Sequence, residues 1–206
     1  MKLYITPGSP YARMARIVVI EKALEGRVEV IVAQTRLAAS PYYEINPSGR
    51  VPYLVRDDGV GFEESAVICA YLDQVDGKPA FDLPAGEHAW EARRLEALAR
   101  SLMDGLSVWL RELYRPANER SPGLIRHETD RASRMVDLWE REIGHPYMRG
   151  ALNMAQITLA CALGLEARNP DLDWRTGHAR LLDWYRPIAA RPSFQATAPP
   201  AASAKR

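Results

Sequence analysis

Apolar positions change their spacing along this chain, and the changes mark out its elements. Residues 2–6 (Lys-Leu-Tyr-Ile-Thr) are a short β-prone run halted by Pro7-Gly8, the pattern of a strand running into a turn. Met14, Ile17, Ile20 and Leu24 then recur at helical spacing. Ser9-Pro10 precedes them, a good N-cap followed by a residue suited to the first helical position, so a helix is expected over 10–25. Residues 28–32 are β-branched and read as a second strand. Two short apolar runs, 52–55 and 60–62, flank Asp57-Asp58-Gly59, and the Asp-Gly step predicts a hairpin. A second helix is expected over 65–75.

The order is strand, helix, strand, irregular segment, hairpin, helix. Two strands joined by a helix predict a parallel βαβ unit, to which the hairpin adds an antiparallel edge. This α/β arrangement resembles thioredoxin and occupies residues 1–76. Residues 77–86 (GKPAFDLPAG) carry two prolines and two glycines and read as a linker. The pattern of 87–198 is helical throughout. Leu95, Leu98, Leu102, Leu106, Trp109 and Leu113 run down one long helix. Ser121-Pro122 opens the next, with Ala132, Met135, Val136, Trp139 and Ile143. Residues 154–166 are almost wholly apolar, so that helix is expected at the centre of an all-α domain. Leu181, Tyr185 and Ile188 mark a further helix, and 199–206 lacks periodicity and is expected to be disordered.

Composition narrows the function classes. The chain has 206 residues, 47% hydrophobic and 26% charged, with a formal net charge of +1. No basic excess is present to grip a phosphate backbone, so a nucleic-acid partner is not expected. No run approaches the ~18–20 apolar residues of a membrane span, and the opening lacks a signal-peptide core. A cytoplasmic protein is the simplest expectation. The two cysteines, Cys69 and Cys161, lie far apart in apolar helical stretches and read as buried thiols; no C-x-x-C occurs. His88, His127, His145 and His178 have no metal-ligand spacing, and no phosphate-binding glycine pattern is found, so no metal is expected.

Ser9 sits where a strand gives way to a helix, a place with open N–H donors and partial positive charge. Two readings stand side by side: a helix cap, and a hydroxyl serving an anion. Asn46-Pro47-Ser48-Gly49-Arg50-Val51-Pro52-Tyr53-Leu54 and Glu63-Glu64-Ser65-Ala66-Val67-Ile68 make the pattern specific. They resemble the N-P-x-G-x-V-P-x-L and E-S-x-A-I motifs of the glutathione S-transferase family, and Ser9-Pro10-Tyr11-Ala12-Arg13 is similar to that family's S-P-[YF]-x-R opening of the first helix. Arg191-Pro192-Ser193-Phe194 adds a family-like ending.

The resemblance implies a transferase that uses glutathione as co-substrate against a small apolar electrophile, acting as a homodimer. It implies that the Val51 backbone pairs with the cysteinyl part of glutathione and that the Val51–Pro52 bond is cis. Glu64 would accept from the γ-glutamyl amine, and Ser65 and the helix amides would take its carboxylate. Arg50 matches a position where some family members place a basic residue near the glycine carboxylate; a solvated loop arginine is the other reading. Ser9 is the expected thiolate partner, with Tyr4 as the alternative. Tyr11, Met103, Leu106 and Leu110 are candidates to line the second-substrate pocket.

Two positions depart from the family. Asn153-Met154-Ala155-Gln156 replaces the usual Ser or Thr and Asp of a capping box, which predicts a weaker cap in which Gln156 reaches back to the Asn153 backbone. Pro10 stands where some bacterial relatives have a cysteine, so mixed-disulfide chemistry is not expected. The alternatives to an enzyme are a non-catalytic interaction module of the same fold and a carrier of apolar ligands.

Overall fold

The computed structural model of the protein describes residues 1–81 and 86–201; residues 82–85 of the expected linker and 202–206 of the expected tail lie outside them. The chain forms two compact units. One is Met1–Asp82 together with Pro192–Pro199, and the other is built on Leu83–Arg191.

In the first unit the described elements are β1 (Lys2–Ile5), α1 (Pro10–Glu21), β2 (Glu29–Val32), α2 (Tyr42–Ile45), β3 (Tyr53–Val55), β4 (Gly61–Phe62) and α3 (Ser65–Gln74). The sheet order is β2-β1-β3-β4. β1 and β2 run parallel with Leu3 opposite Val30; β3 is antiparallel to β1, with Leu54 opposite Leu3, and β4 is antiparallel to β3. This is the thioredoxin-like sheet. Its core is Leu3, Ile5 and Leu54 with Met14, Ile17 and Val18 of α1 and Ile68 and Leu72 of α3, all buried. α1 stops earlier than periodicity suggests because Ala23 takes a positive φ of 50°, which leaves Leu24 buried in the turn beyond the helix. The four-residue α2 falls in the stretch expected to be irregular.

The opening of the expected linker is fastened to this unit. Asp73, buried near the end of α3, accepts from the Ala80 N–H at 2.8 Å and the Phe81 N–H at 3.0 Å. Lys22 lies 3.5 Å from Asp73 and 3.0 Å from Asp76 and donates to the Lys78 carbonyl. A second segment also joins the unit. α9 (Pro192–Ala196) was expected to end the helical domain, but it packs with α1. The buried Arg13 donates to the Phe194 carbonyl at 3.0 Å and to Thr197 Oγ1 at 3.4 Å, and lies over the Phe194 ring. Arg16 donates to the Ala196 carbonyl, and Ser193 to Glu21. Carbonyls left over at the end of a short helix thus receive guanidinium donors.

The second unit contains α4 (His88–Leu113), α5 (Pro122–Glu142), α6 (Pro146–Arg149), α7 (Met154–Leu163) and α8 (Ala179–Ala189). Every residue of α7 is buried, and it packs against α4, as its unbroken apolar sequence requires. The helix ends at Leu163 and tightens into a 3-10 turn over Gly164–Arg168. Ser121 caps α5 by accepting from the Leu124 N–H at 3.3 Å. At α7, Asn153 Oδ1 accepts from the Gln156 N–H at 3.1 Å. Gln156 does not reach back to the Asn153 backbone among the described residues; its amide donates to the carbonyls of Tyr147 and Gly150, and the Asn153 amide donates to Tyr147 and Ala151. The amides bring N–H donors that a hydroxyl and a carboxylate lack, and these tie the preceding loop to the helix end. No described helix is long and apolar enough to cross a membrane.

Candidate functional site

Ser9 caps α1. Its backbone is extended (φ −81°, ψ 121°), its Oγ accepts from the Ala12 N–H at 3.2 Å, and its own N–H donates to the Thr6 carbonyl. A hydroxyl offers one donor and two acceptor lone pairs. Capping uses an acceptor only, so the O–H hydrogen stays available to an anion. The two readings of Ser9 are therefore compatible, and one oxygen can do both. Tyr4 is half-buried in β1 with its ring 5.6 Å from that of Tyr42.

The 46–54 segment follows α2. The Val51–Pro52 bond is cis, as the family resemblance implied, and Pro52 is buried. Gly49 takes φ +65°, and a Cβ there would lie 2.6 Å from the Tyr43 ring, so both conformation and space demand glycine. Arg50 is exposed. Its N–H donates to Ser48 Oγ at 3.2 Å, and its carbonyl accepts from Tyr42 Oη at 2.5 Å and Asn46 Nδ2 at 3.0 Å. Val51 N–H and C=O make no hydrogen bond among the described residues. Ser48 also donates to Glu63, which joins this segment to the start of α3.

The start of α3 is unlike that of α1. Glu64 occupies the cap position with φ 71° and ψ 119°, and its side chain caps nothing. Such a φ is rare for any residue with a Cβ. Ser65, buried at the first helical position, donates from its hydroxyl to the Glu64 carboxylate at 3.1 Å. The first helical hydrogen bond runs from Ile68 N–H to the Glu64 carbonyl, and the N–H groups of Ala66 and Val67 have no partner among the described residues. An exposed carboxylate beside open helix amides can hold an ammonium and a carboxylate next to each other.

Of the candidates for the second substrate, Tyr11 is half-buried on α1, while Met103, Leu106 and Leu110 are buried on α4. A cleft of about 700 Å³ opens at the far end of β1 from Ser9, lined by Met1, Lys2, Arg27 and Asp57. Its Met1 amine and Asp57 carboxylate pair with each other at 2.6 Å, which holds the Asp57 carboxyl below its usual range, and it has no part in the Ser9 site. No group of three His, Cys, Asp or Glu among the described residues is placed to hold a metal. The sequence reading assigned no role to Tyr42, Ser48 or Glu63. Of Tyr42, Asn46, Ser48 and Glu63, only Asn46 stands at a position that the family motif specifies.

A thioredoxin-like unit with a cis-proline segment and an uncapped third helix, followed by an all-helical unit, is the architecture of a glutathione transferase. The comparisons agree. Residues 3–80 match the family model for the glutathione S-transferase N-terminal domain. The GST-like protein YibF of Escherichia coli K12, itself uncharacterised, is 30% identical over 98% of this chain and its own full length. A glutathione transferase family member from Pseudomonas fluorescens Pf-5, solved with bound glutathione, is 33% identical with a TM-score of 0.86, covering 97% of this chain and 98% of that one. The same bacterium's family member with bound S-(propanoic acid)-glutathione is 34% identical with a TM-score of 0.84, covering 97% of this chain and 100% of that one. The chain belongs to the glutathione S-transferase family.

Proposed function

We propose that this protein is a glutathione transferase whose bound glutathione thiolate attacks a small apolar electrophile. The observation that carries the reading is the set of backbone groups in the first unit with no partner among the described residues. Val51 N–H and C=O, and the N–H groups of Ala66 and Val67, are the groups that the family would offer to the tripeptide. Val51 pairs with the cysteinyl residue as an added strand does. The γ-glutamyl amine meets Glu64, and its carboxylate meets Ser65 and the α3 amides. Arg50, exposed beside Val51, serves the glycine carboxylate. The Pseudomonas fluorescens structures, with glutathione and a glutathione conjugate bound, support the same ligand here.

Ser9 donates its O–H to the sulfur while still capping α1. In the reaction the thiolate forms a C–S bond. In an addition, the π electron pair moves to the neighbouring atom, which then takes a proton; in substitution, the leaving group departs with its electron pair. A free thiol of pKa about 8.5 is only ~3% thiolate at pH 7. Lowering that pKa by about two units gains roughly 25-fold in thiolate, but a nucleophilicity slope of about 0.4–0.5 gives back about eightfold. The net gain is about threefold, so orientation of thiolate and electrophile must supply most of the catalysis. Tyr11, two residues beyond Ser9, is the side chain proposed to meet the electrophile. Met103, Leu106 and Leu110 act through the packing of α4.

The protein works in the cytoplasm as a homodimer. Trp90 on α4 is 73% exposed, and in the first unit Val60 and Val67 are about half exposed, apolar surface that a second copy would cover. Light scattering is expected to give about twice the 23.1 kDa chain mass; a monomer at micromolar concentration would overturn the dimer.

A glutathione titration followed by thermal shift tests the function. At 100 times the dissociation constant, ligand linkage stabilises the fold by about 2.7 kcal/mol. An unmoved melting temperature at several millimolar glutathione would reject the enzyme and leave an interaction module of this fold.

A further inference from the structure

Tyr42 and Asn46 are almost wholly buried, at 4% and 2% exposure, yet neither spends its polar group on a regular element. Both donate to one acceptor, the carbonyl of Arg50, at 2.5 and 3.0 Å. The other end of the Asn46 amide accepts from the Ser48 N–H at 3.1 Å, and Ser48 Oγ takes the Arg50 N–H. Arg50 is thus held at both backbone groups while its side chain stays in solvent. Two buried donors on one loop carbonyl is more than burial alone demands.

The Arg50 carbonyl and the Val51 N–H belong to the same peptide group. Among the described residues only the next bond, Val51–Pro52, is cis, so the Arg50–Val51 peptide is trans. A trans peptide is planar, with its N–H opposite to its C=O. Holding the carbonyl inward against Tyr42 and Asn46 therefore turns the Val51 N–H outward. Hydrogen bonds to a carbonyl also polarise its peptide and strengthen the N–H as a donor.

Resting on the glutathione reading of Val51, we propose that Tyr42 and Asn46 are positioning residues for glutathione: they aim and polarise the Val51 N–H toward the ligand's cysteinyl carbonyl. Burial pushes the Tyr42 phenol above its ordinary pKa, against the smaller lowering from Asn46, so it remains a donor across the working pH range. The tyrosine ring, packed near Tyr4, anchors α2 whether or not the hydroxyl is present. The hydroxyl is what acts on the ligand.

The test begins with glutathione binding to the wild-type protein by calorimetry, since no binding there rejects the glutathione reading itself. Given binding, Tyr42→Phe removes one oxygen and keeps the ring. It should raise both Kd and KM for glutathione by about 3- to 10-fold, the worth of one neutral hydrogen bond, with kcat unchanged. The Val51 amide nitrogen resonance should move with it, because that nitrogen reports the bonding of the Arg50 carbonyl. Asn46→Asp, which replaces the donor by an acceptor at neutral pH, carries the same expectation independently. A folded Tyr42→Phe with unchanged glutathione affinity, or an unmoved Val51 resonance, would overturn the proposal. Should both variants unfold, hydrogen exchange in the wild-type protein decides. The Val51 amide must exchange freely without ligand and become protected when glutathione is added; protection before addition overturns the proposal.

Discussion

Two helix N-termini in the first unit meet the same physical problem in opposite ways. Every helix starts with N–H groups that have no partner inside the helix. At α1 the chain supplies its own answer: Ser9 accepts from Ala12, and Pro10 at the first position has no N–H to satisfy. At α3 the cap is Glu64, whose side chain makes no cap hydrogen bond; it sits at a positive φ, and among the described residues Ala66 and Val67 N–H have no acceptor. The first arrangement is worth about 1 kcal/mol of stability. The second costs about 1–3 kcal/mol of backbone strain and brings no side-chain cap. A helix end that stabilises itself has committed its donors, while one kept open at a cost has donors to give to a ligand. On the proposed function, this contrast gives α3 to binding and α1 to a double task.

The largest expected effect is at the open end. Glu64→Ala should weaken glutathione binding by about 1.5–3 kcal/mol, the worth of a charge-assisted hydrogen bond, and raise KM far more than it lowers kcat, because this contact is remote from the sulfur. Unchanged affinity in calorimetry would remove the α3 end from the site.

Next in size is Ser9→Ala. Melting should report a loss of about 0.5–2 kcal/mol as the cap disappears. Without its donor the bound thiol's pKa rises, so the pH–rate profile should move to higher pH while glutathione affinity holds. A stability loss with an unmoved profile would make Ser9 a cap alone, and Tyr4→Phe would be the next variant to measure.

Comparing Glu64→Gly with Glu64→Ala isolates the strain. Glycine accepts a φ of 71° without a clash, so that variant should be the more stable of the two by about 1 kcal/mol, with the same loss of glutathione affinity. Equal melting temperatures would mean that the backbone there is not strained. The smallest effect should come from Ser9→Gly, which costs only a few tenths of a kcal/mol as a cap. It should nonetheless shift the pH–rate profile as far as Ser9→Ala does, which separates the hydroxyl's two tasks in one measurement.

The first unit was legible wherever a local rule governs. Ser9-Pro10 marked the start of α1, the Asp57-Asp58-Gly59 turn marked the β3–β4 hairpin, and Met14 and Ile17, set at helical spacing, are buried. The apolar run of α7 announced a helix with no solvent face, and that is its burial. Less was legible where partners are far apart in the chain. Nothing near residue 192 says that α9 leaves the helical pattern to pack on α1, because its ligands, Arg13, Arg16 and Glu21, are more than 170 residues away. The hold of Lys22 on the start of the expected linker, 56 residues away at the Lys78 carbonyl, is hidden for the same reason.

The candidate site divides along that line. By itself the sequence determined the element types, the turn glycines and the motifs that resemble the family, since propensity, patterning and caps act over a few residues. Only the tertiary structure decided how the backbone groups in those motifs are spent. Tyr42 and Asn46 converge on the Arg50 carbonyl, Ser48 reaches Glu63 across 15 residues, and among the described residues the amides of Val51, Ala66 and Val67 have no acceptor. The physical reason is that every residue but proline carries the same N–H and C=O, so a sequence cannot say which of them find partners. That depends on which chain segments meet in space.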